Sequence, residues 1–197
     1  MTRATHAFRI AVATLVVAPS SRSQSETVVF IRHAEKPEAG LGQLSCQGLN
    51  RALALPGYFA KAFPRIDAFF APDPGAPKPD RGVDYDYVRP LATIEPTAIA
   101  RGMPVDAHIG FADIADLEKA LQAPEYQDAT IVVAWEHKII DVVANDLLVA
   151  HGGELRAPPI WDDADFDGVY VLTLGPGSAR LEKTREGLDG QSAACPS

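Results

Sequence analysis

Long hydrophobic runs are missing from this sequence. The apolar stretch at residues 10–18 is too short to hold the chain in a bilayer as a permanent anchor. Basic residues are also scarce, 18 Lys and Arg against 26 Asp and Glu, so the general field of the protein repels nucleic acid and anionic membranes. A site for an anionic ligand must then be a local island of Arg, Lys and backbone N–H groups. Cysteine is limited to Cys46 and Cys195, which permit one disulfide in an oxidising compartment and equally two free thiols. No internal repeat, heptad array or EF-hand spacing occurs, and the one biased tract is the proline-rich stretch around residues 72–79.

What is there begins with a targeting pattern. Arg3, His6 and Arg9 precede the apolar run, and Pro19, Ser20, Ser21, Arg22 and Ser23 follow it. Basic, then apolar, then small is the order of a secretory signal peptide. Residues 1–24 are therefore expected to be removed, leaving 15 basic against 26 acidic residues, no stable membrane association, and a periplasmic or secreted location. Residues 25–197 suit a single domain, because a chain that is 47% hydrophobic supplies one sizeable core and is too short for two.

Short β-branched runs alternate with helical patterns. Residues 26–32 (with Val28, Val29, Phe30 and Ile31), 68–71, 129–135 and 168–174 read as strands, the last paired with 180–184 across a glycine turn. Ser45 can cap a helix running to Phe63, bent or split at Pro56 and Gly57. Helices are also expected from Pro90 to about Ala100, from Asp113 as cap over 114–121, and over 139–149. The prolines predict that residues 72–87 form one long loop. Strands alternating with helices imply a three-layer α/β/α sandwich around a mostly parallel sheet, with ligands at the carboxyl ends of its strands.

Two strands end in histidine. Arg32 and His33 close the first, and Glu136 and His137 close the strand at 129–135. One such histidine is more often structural, but two at matching strand ends, one beside an arginine, point to catalysis. A neutral imidazole can attack phosphorus, and arginines supply planar bidentate donors for the charge that spreads over the equatorial oxygens.

Four segments carry a resemblance, in order, across nearly all of residues 25–197. Arg32-His33-Ala34 resembles an Arg-His-Gly motif, and Ser45-Cys46-Gln47-Gly48-Leu49-Asn50-Arg51-Ala52 is similar to a helix-opening Ser/Thr-x-x-Gly-x-x-Arg-Ala segment. Arg89-Pro90-Leu91-Ala92-Thr93-Ile94 is similar to Arg-x-x-x-Thr-Ala, and the strand ending in His137 to a second-histidine strand. These are motifs of the histidine phosphatase superfamily, in the branch related to phosphoglycerate mutases. The resemblance implies a phosphoglycerate mutase-like fold and phosphomonoester hydrolysis without metal or organic cofactor, on a small phosphorylated substrate. It makes His33 the nucleophile, puts Arg32, Arg89 and His137 around the phosphate, and gives Arg51 a supporting place on its helix. The leaving-group acid is assigned to Glu136 ahead of Asp113, which also reads as a helix cap.

Two other functions compete. His33, Glu35, Glu136 and His137 could ligate a metal, against which Arg32 and Arg89 would repel a cation. A non-catalytic exported binder of a phosphorylated ligand would keep the same pocket. Lys36 reads as a solvated partner of Glu35, with an extension of the basic pocket as the alternative, and His108 and His151 read as surface residues. Trp161, Asp162, Asp163, Asp165 and Asp167 read as a solvated loop, with a cation site as the alternative.

Overall fold

The computed structural model describes residues 25–154 and 160–197, and the expected signal peptide lies outside the described residues. In chain order the elements are β1 (Glu26–Arg32), α1 (Cys46–Ala62), β2 (Ala68–Pro72), β3 (Pro77–Asp80), β4 (Val83–Asp86), α2 (Arg89–Arg101), β5 (Asp106–Ile109), α3 (Ile114–Leu121), a 3₁₀ turn (Pro124–Tyr126), β6 (Thr130–Trp135), α4 (His137–Ala150), β7 (Gly168–Gly175) and β8 (Ser178–Arg185).

Six strands form one sheet in the order β5-β2-β6-β1-β7-β8. The first four are parallel, β7 is antiparallel to β1, and β8 is antiparallel to β7. Strand alternation divides the apolar residues between the two faces. Val29 and Ile31 of β1 pack with Leu55 and Phe59 of α1 and Ile94 and Ala98 of α2. Val28 and Phe30 face the other way, toward Leu117 and Leu121 of α3 and Ile140, Val143 and Leu147 of α4. The result is the three-layer α/β/α sandwich. Each fully buried side chain of this size contributes roughly 1.5–3 kcal/mol, which is why the sheet's centre consists of Val, Ile and Phe.

Two expectations need correction. Helix α1 is not split at Pro56 but runs on to Ala62, because Leu55 and Phe59 on either side are anchored in the core. Residues 72–87 are not a featureless loop, since β3 and β4 pair as an antiparallel hairpin. Pro77 and Pro79 are two residues apart, so both place their missing N–H on the outer edge of β3 and leave the pairing edge intact. The edge strand β5, four residues long and mostly half-buried, was also not expected.

Topology decides what gathers at the carboxyl edge of the sheet. From β1 the chain leaves through α1 to β2, and from the adjacent β6 it leaves through α4, on the opposite face, to β7. Neighbouring parallel strands whose connections diverge open a crevice between their carboxyl ends. Because β7 is antiparallel, the chain must return to that same edge before entering it, bringing residues 160–167 along. Strand β8 then ends there, carrying Glu186 and Asp189. The tail continues across the start of α1, where Asn50 Nδ2 donates to the carbonyls of Ser192 and Ala194, both at 2.8 Å. Cys46 and Cys195 are joined there as a disulfide, their Cα atoms 4.5 Å apart, which closes the alternative left open by the sequence.

Candidate active site

Parallel pairing of β1 with β6 places Arg32 opposite Trp135, so His33 emerges beside Glu136 and His137. The pairing continues one step further, His33 N–H donating to Trp135 O at 2.9 Å. The His33 side chain is buried, and its Nδ1 lies 2.8 Å from Ala34 O. A carbonyl can only accept, so Nδ1 carries the proton and Nε2 keeps its lone pair. Burial, with the charges of Arg89, Arg32 and Lys78, holds the imidazole well below its ordinary pKa and so neutral. The next residue is fixed as well: Ala34 N–H donates to Thr93 Oγ1, whose hydroxyl donates to Arg89 O in the first turn of α2.

The two arginines are held by different parts of the edge. Arg32 Nη1 donates to the carbonyls of Asp163 (2.7 Å) and Asp165 (3.1 Å), and its guanidinium lies 3.9 Å over the Phe166 ring. Arg89 opens α2 and reaches Asp80 at the end of β3, whose carboxyl it holds low together with Lys36 against the effect of burial. Both retain a buried Nε that no acceptor among the described residues meets. Tyr87 presents its edge to His33 at 6.2 Å between ring centroids.

His137 is the first residue of α4, and its Nε2 donates to the exposed Asp163 carboxylate at 2.5 Å. Glu136 precedes it as the helix cap, accepting from Ile139 N–H at 3.3 Å and lying 3.4 Å from His137 Nδ1. Its charge reaches both Arg32 and Lys78. Asp113, the other candidate acid, is exposed at the start of α3 and makes no capping bond with its side chain. Asp113 thus stands at the cap position of α3 without the capping bond expected of it, while Glu136 caps α4.

Glu35 is turned away from this pocket, which removes it from any metal-ligand set with the histidines. It pairs with Arg51 instead of Lys36, and Arg51 also meets Asp167, Glu186 and Asp189 at 3.1, 2.7 and 3.2 Å. Glu186, pushed up to about 8 by burial, shares this guanidinium with Asp167, which accepts from the N–H groups of Gly187 and Leu188. Gly48 is required here, since a Cβ would come within 2.2 Å of Glu35 O. The cluster ties the loop after His33 to α1 and to the end of β8. Arg51→Met strands three largely buried carboxylates and is expected to cost about 3–5 kcal/mol, measured as a lower denaturant midpoint at an unchanged m-value.

The sequence brought Arg32, His33, Arg89, Glu136 and His137 to one place and missed Asp80, Tyr87, Asp163 and Phe166. The segment at 160–167 read as solvated loop, yet Trp161 is buried with its indole N–H on Asp165 O. An aromatic at each end of an acidic run was the available signal. His108 and His151 lie apart from the site, bonded to Asp106 and Gln122. Among the described residues no His, Cys, Asp and Glu side chains are grouped to hold a metal ion.

Neither a protein-family model nor a curated protein sequence matches this chain. Among solved structures, an Escherichia coli protein described as an alpha-ribazole-5'-P phosphatase superposes with a TM-score of 0.55 at 13% identity, over 87% of this chain and 98% of its own. A Nakamurella multipartitia protein described as the phosphohistidine phosphatase SixA gives 0.52 at 16% identity, over 82% and 96%. A mycobacterial glucosyl-3-phosphoglycerate phosphatase in complex with inorganic phosphate gives 0.53 at 14%, over 81% and 95%. The chain has the fold of the histidine phosphatase superfamily, the phosphoglycerate mutase-like arrangement that its motifs resemble.

Proposed function

We propose that this chain is an exported phosphatase that hydrolyses phosphomonoesters through a phosphohistidine on His33. The observation that carries the reading is the state of His33: neutral, protonated on Nδ1, with Nε2 free of partners among the described residues and two arginines beside it. Nε2 attacks phosphorus and the bond to the leaving oxygen breaks, with Glu136 supplying the proton that oxygen needs. Water then attacks the phosphohistidine, its proton passes to the same carboxylate, and inorganic phosphate and free His33 result. Arg32, Arg89 and His137 hold the three equatorial oxygens throughout. Asp163, exposed and already on His137, is the acceptor that a phosphate oxygen replaces.

The phosphatase names of the structural neighbours support hydrolysis ahead of transfer to a second substrate. The test is phosphate release across a panel of monoesters, run with and without a chelator. Turnover unaffected by chelation is expected; turnover abolished by it would favour a metal-dependent hydrolase, and tight phosphate binding without turnover a binder. Export is supported by the signal-like pattern and by the disulfide, a bond of oxidising compartments. Mass spectrometry of protein from the native host should find a new N-terminus between residues 19 and 26, whereas retained Met1 or Thr2 in a cytosolic fraction would contradict export.

A further inference from the structure

The hairpin of β3 and β4 carries a cation for which the fold provides no anion. Pro77 and Pro79 are exposed, and Lys78 between them turns inward, as strand alternation requires. Its Nζ stands 4.5 Å from the Tyr87 ring centroid and 4.8 Å from that of Phe111. These rings meet edge to face at 5.7 Å, and Tyr87 in turn meets His33 edge-on. Tyr87 thus touches both the ammonium and the nucleophile, and the charge of Lys78 reaches His33.

The cations around it all have oxygen partners. Arg32 has two carbonyls, Arg89 and Lys36 share Asp80, and Arg51 has four carboxylates. Lys78 makes no hydrogen bond or ion pair among the described residues, and the ring faces are its contacts. Of the carboxylates whose charges reach it, Asp80 is committed to Arg89 and Lys36, and Glu136 to the cap of α4. Partial burial already disfavours its charge. A cation kept in such a place is suited to an anion that arrives with the ligand.

We propose that Lys78 binds a second anionic group of the substrate, so that the preferred substrates are phosphomonoesters that carry another anion. This rests on the phosphatase reading and adds a specificity-determining residue to it. The probes are phenyl phosphate, its 2-, 3- and 4-carboxylates, and the 4-carboxamide as neutral control, each with wild type, Lys78→Met and Lys78→Arg. For wild type, kcat/KM should be highest for one carboxylate isomer. Lys78→Met should reduce the ratio of that isomer to phenyl phosphate by roughly 10- to 100-fold, the worth of a charge-assisted hydrogen bond. Lys78→Arg should restore most of it, and the carboxamide should follow phenyl phosphate. An unchanged ratio in Lys78→Met overturns the proposal while leaving the phosphatase reading intact. Failure of wild type to hydrolyse any of the five esters defeats both.

Discussion

His33→Ala is expected to lower turnover by roughly 10⁴- to 10⁶-fold, the loss typical of removing a nucleophile whose partners act as a unit with it. A denaturing quench of wild-type turnover should trap acid-labile, base-stable phosphate on the peptide containing His33, and the variant should trap none. The fold should survive the change, because the imidazole's one hydrogen bond is to its own neighbour, Ala34. The pH profile follows from the same geometry. Burial and three cations lower the His33 pKa, so the nucleophile stays deprotonated as pH falls through the ordinary histidine value near 6.5, and the acid limb of kcat/KM assigned to it should lie below that value. Equal turnover by wild type and His33→Ala would remove His33 from the mechanism.

Glu136→Gln is expected to slow alkyl phosphates by roughly 10²- to 10⁴-fold, the usual contribution of a general acid. p-Nitrophenyl phosphate, whose leaving group needs little protonation, should be affected far less. The amide oxygen of glutamine can still accept from Ile139 N–H, so the start of α4 and the position of His137 are preserved. The comparison of leaving groups therefore isolates proton donation from capping. Equal slowing of both substrate types would make Glu136 structural or electrostatic. A selective loss in Asp113→Asn, with Glu136→Gln unaffected, would move the acid to the other segment.

The parts of the site legible in the sequence are those placed by strands. Val28, Val29, Phe30 and Ile31 mark a central strand by composition, and the residues after it must lie at the carboxyl edge, so Arg32 and His33 follow. The same reasoning finds Glu136 and His137, and the Ser45 cap and the first-turn Pro90 place α1 and Arg89. Lys78 and Asp80 were hidden because prolines on either side of Lys78 read as chain breakers, although alternate positions on a hairpin's outer edge tolerate them. Asp163 and Phe166 were hidden because their position depends on β7 being antiparallel; Trp161 and Phe166 flanking the acidic run signal burial but not that pairing. Glu35 was paired with its neighbour Lys36, whereas its partner, Arg51, is 16 residues away on a helix.

The strand order also sets when the protein can fold. β1, the first of the described elements, lies at the middle of the sheet, and its two neighbours begin at residues 130 and 168. A nascent chain thus cannot complete either side of this sheet centre until residues 130–175 have left the ribosome. Pairings this distant in sequence are slow to form, since the entropy of closing the intervening loop is lost before any contact compensates for it. Late closure of this kind suits the proposed export, since an unfolded chain can be threaded through a narrow translocation pore. Residues 192–195, made later still, are then fastened onto the start of α1, and a covalent bond makes the late arrival permanent.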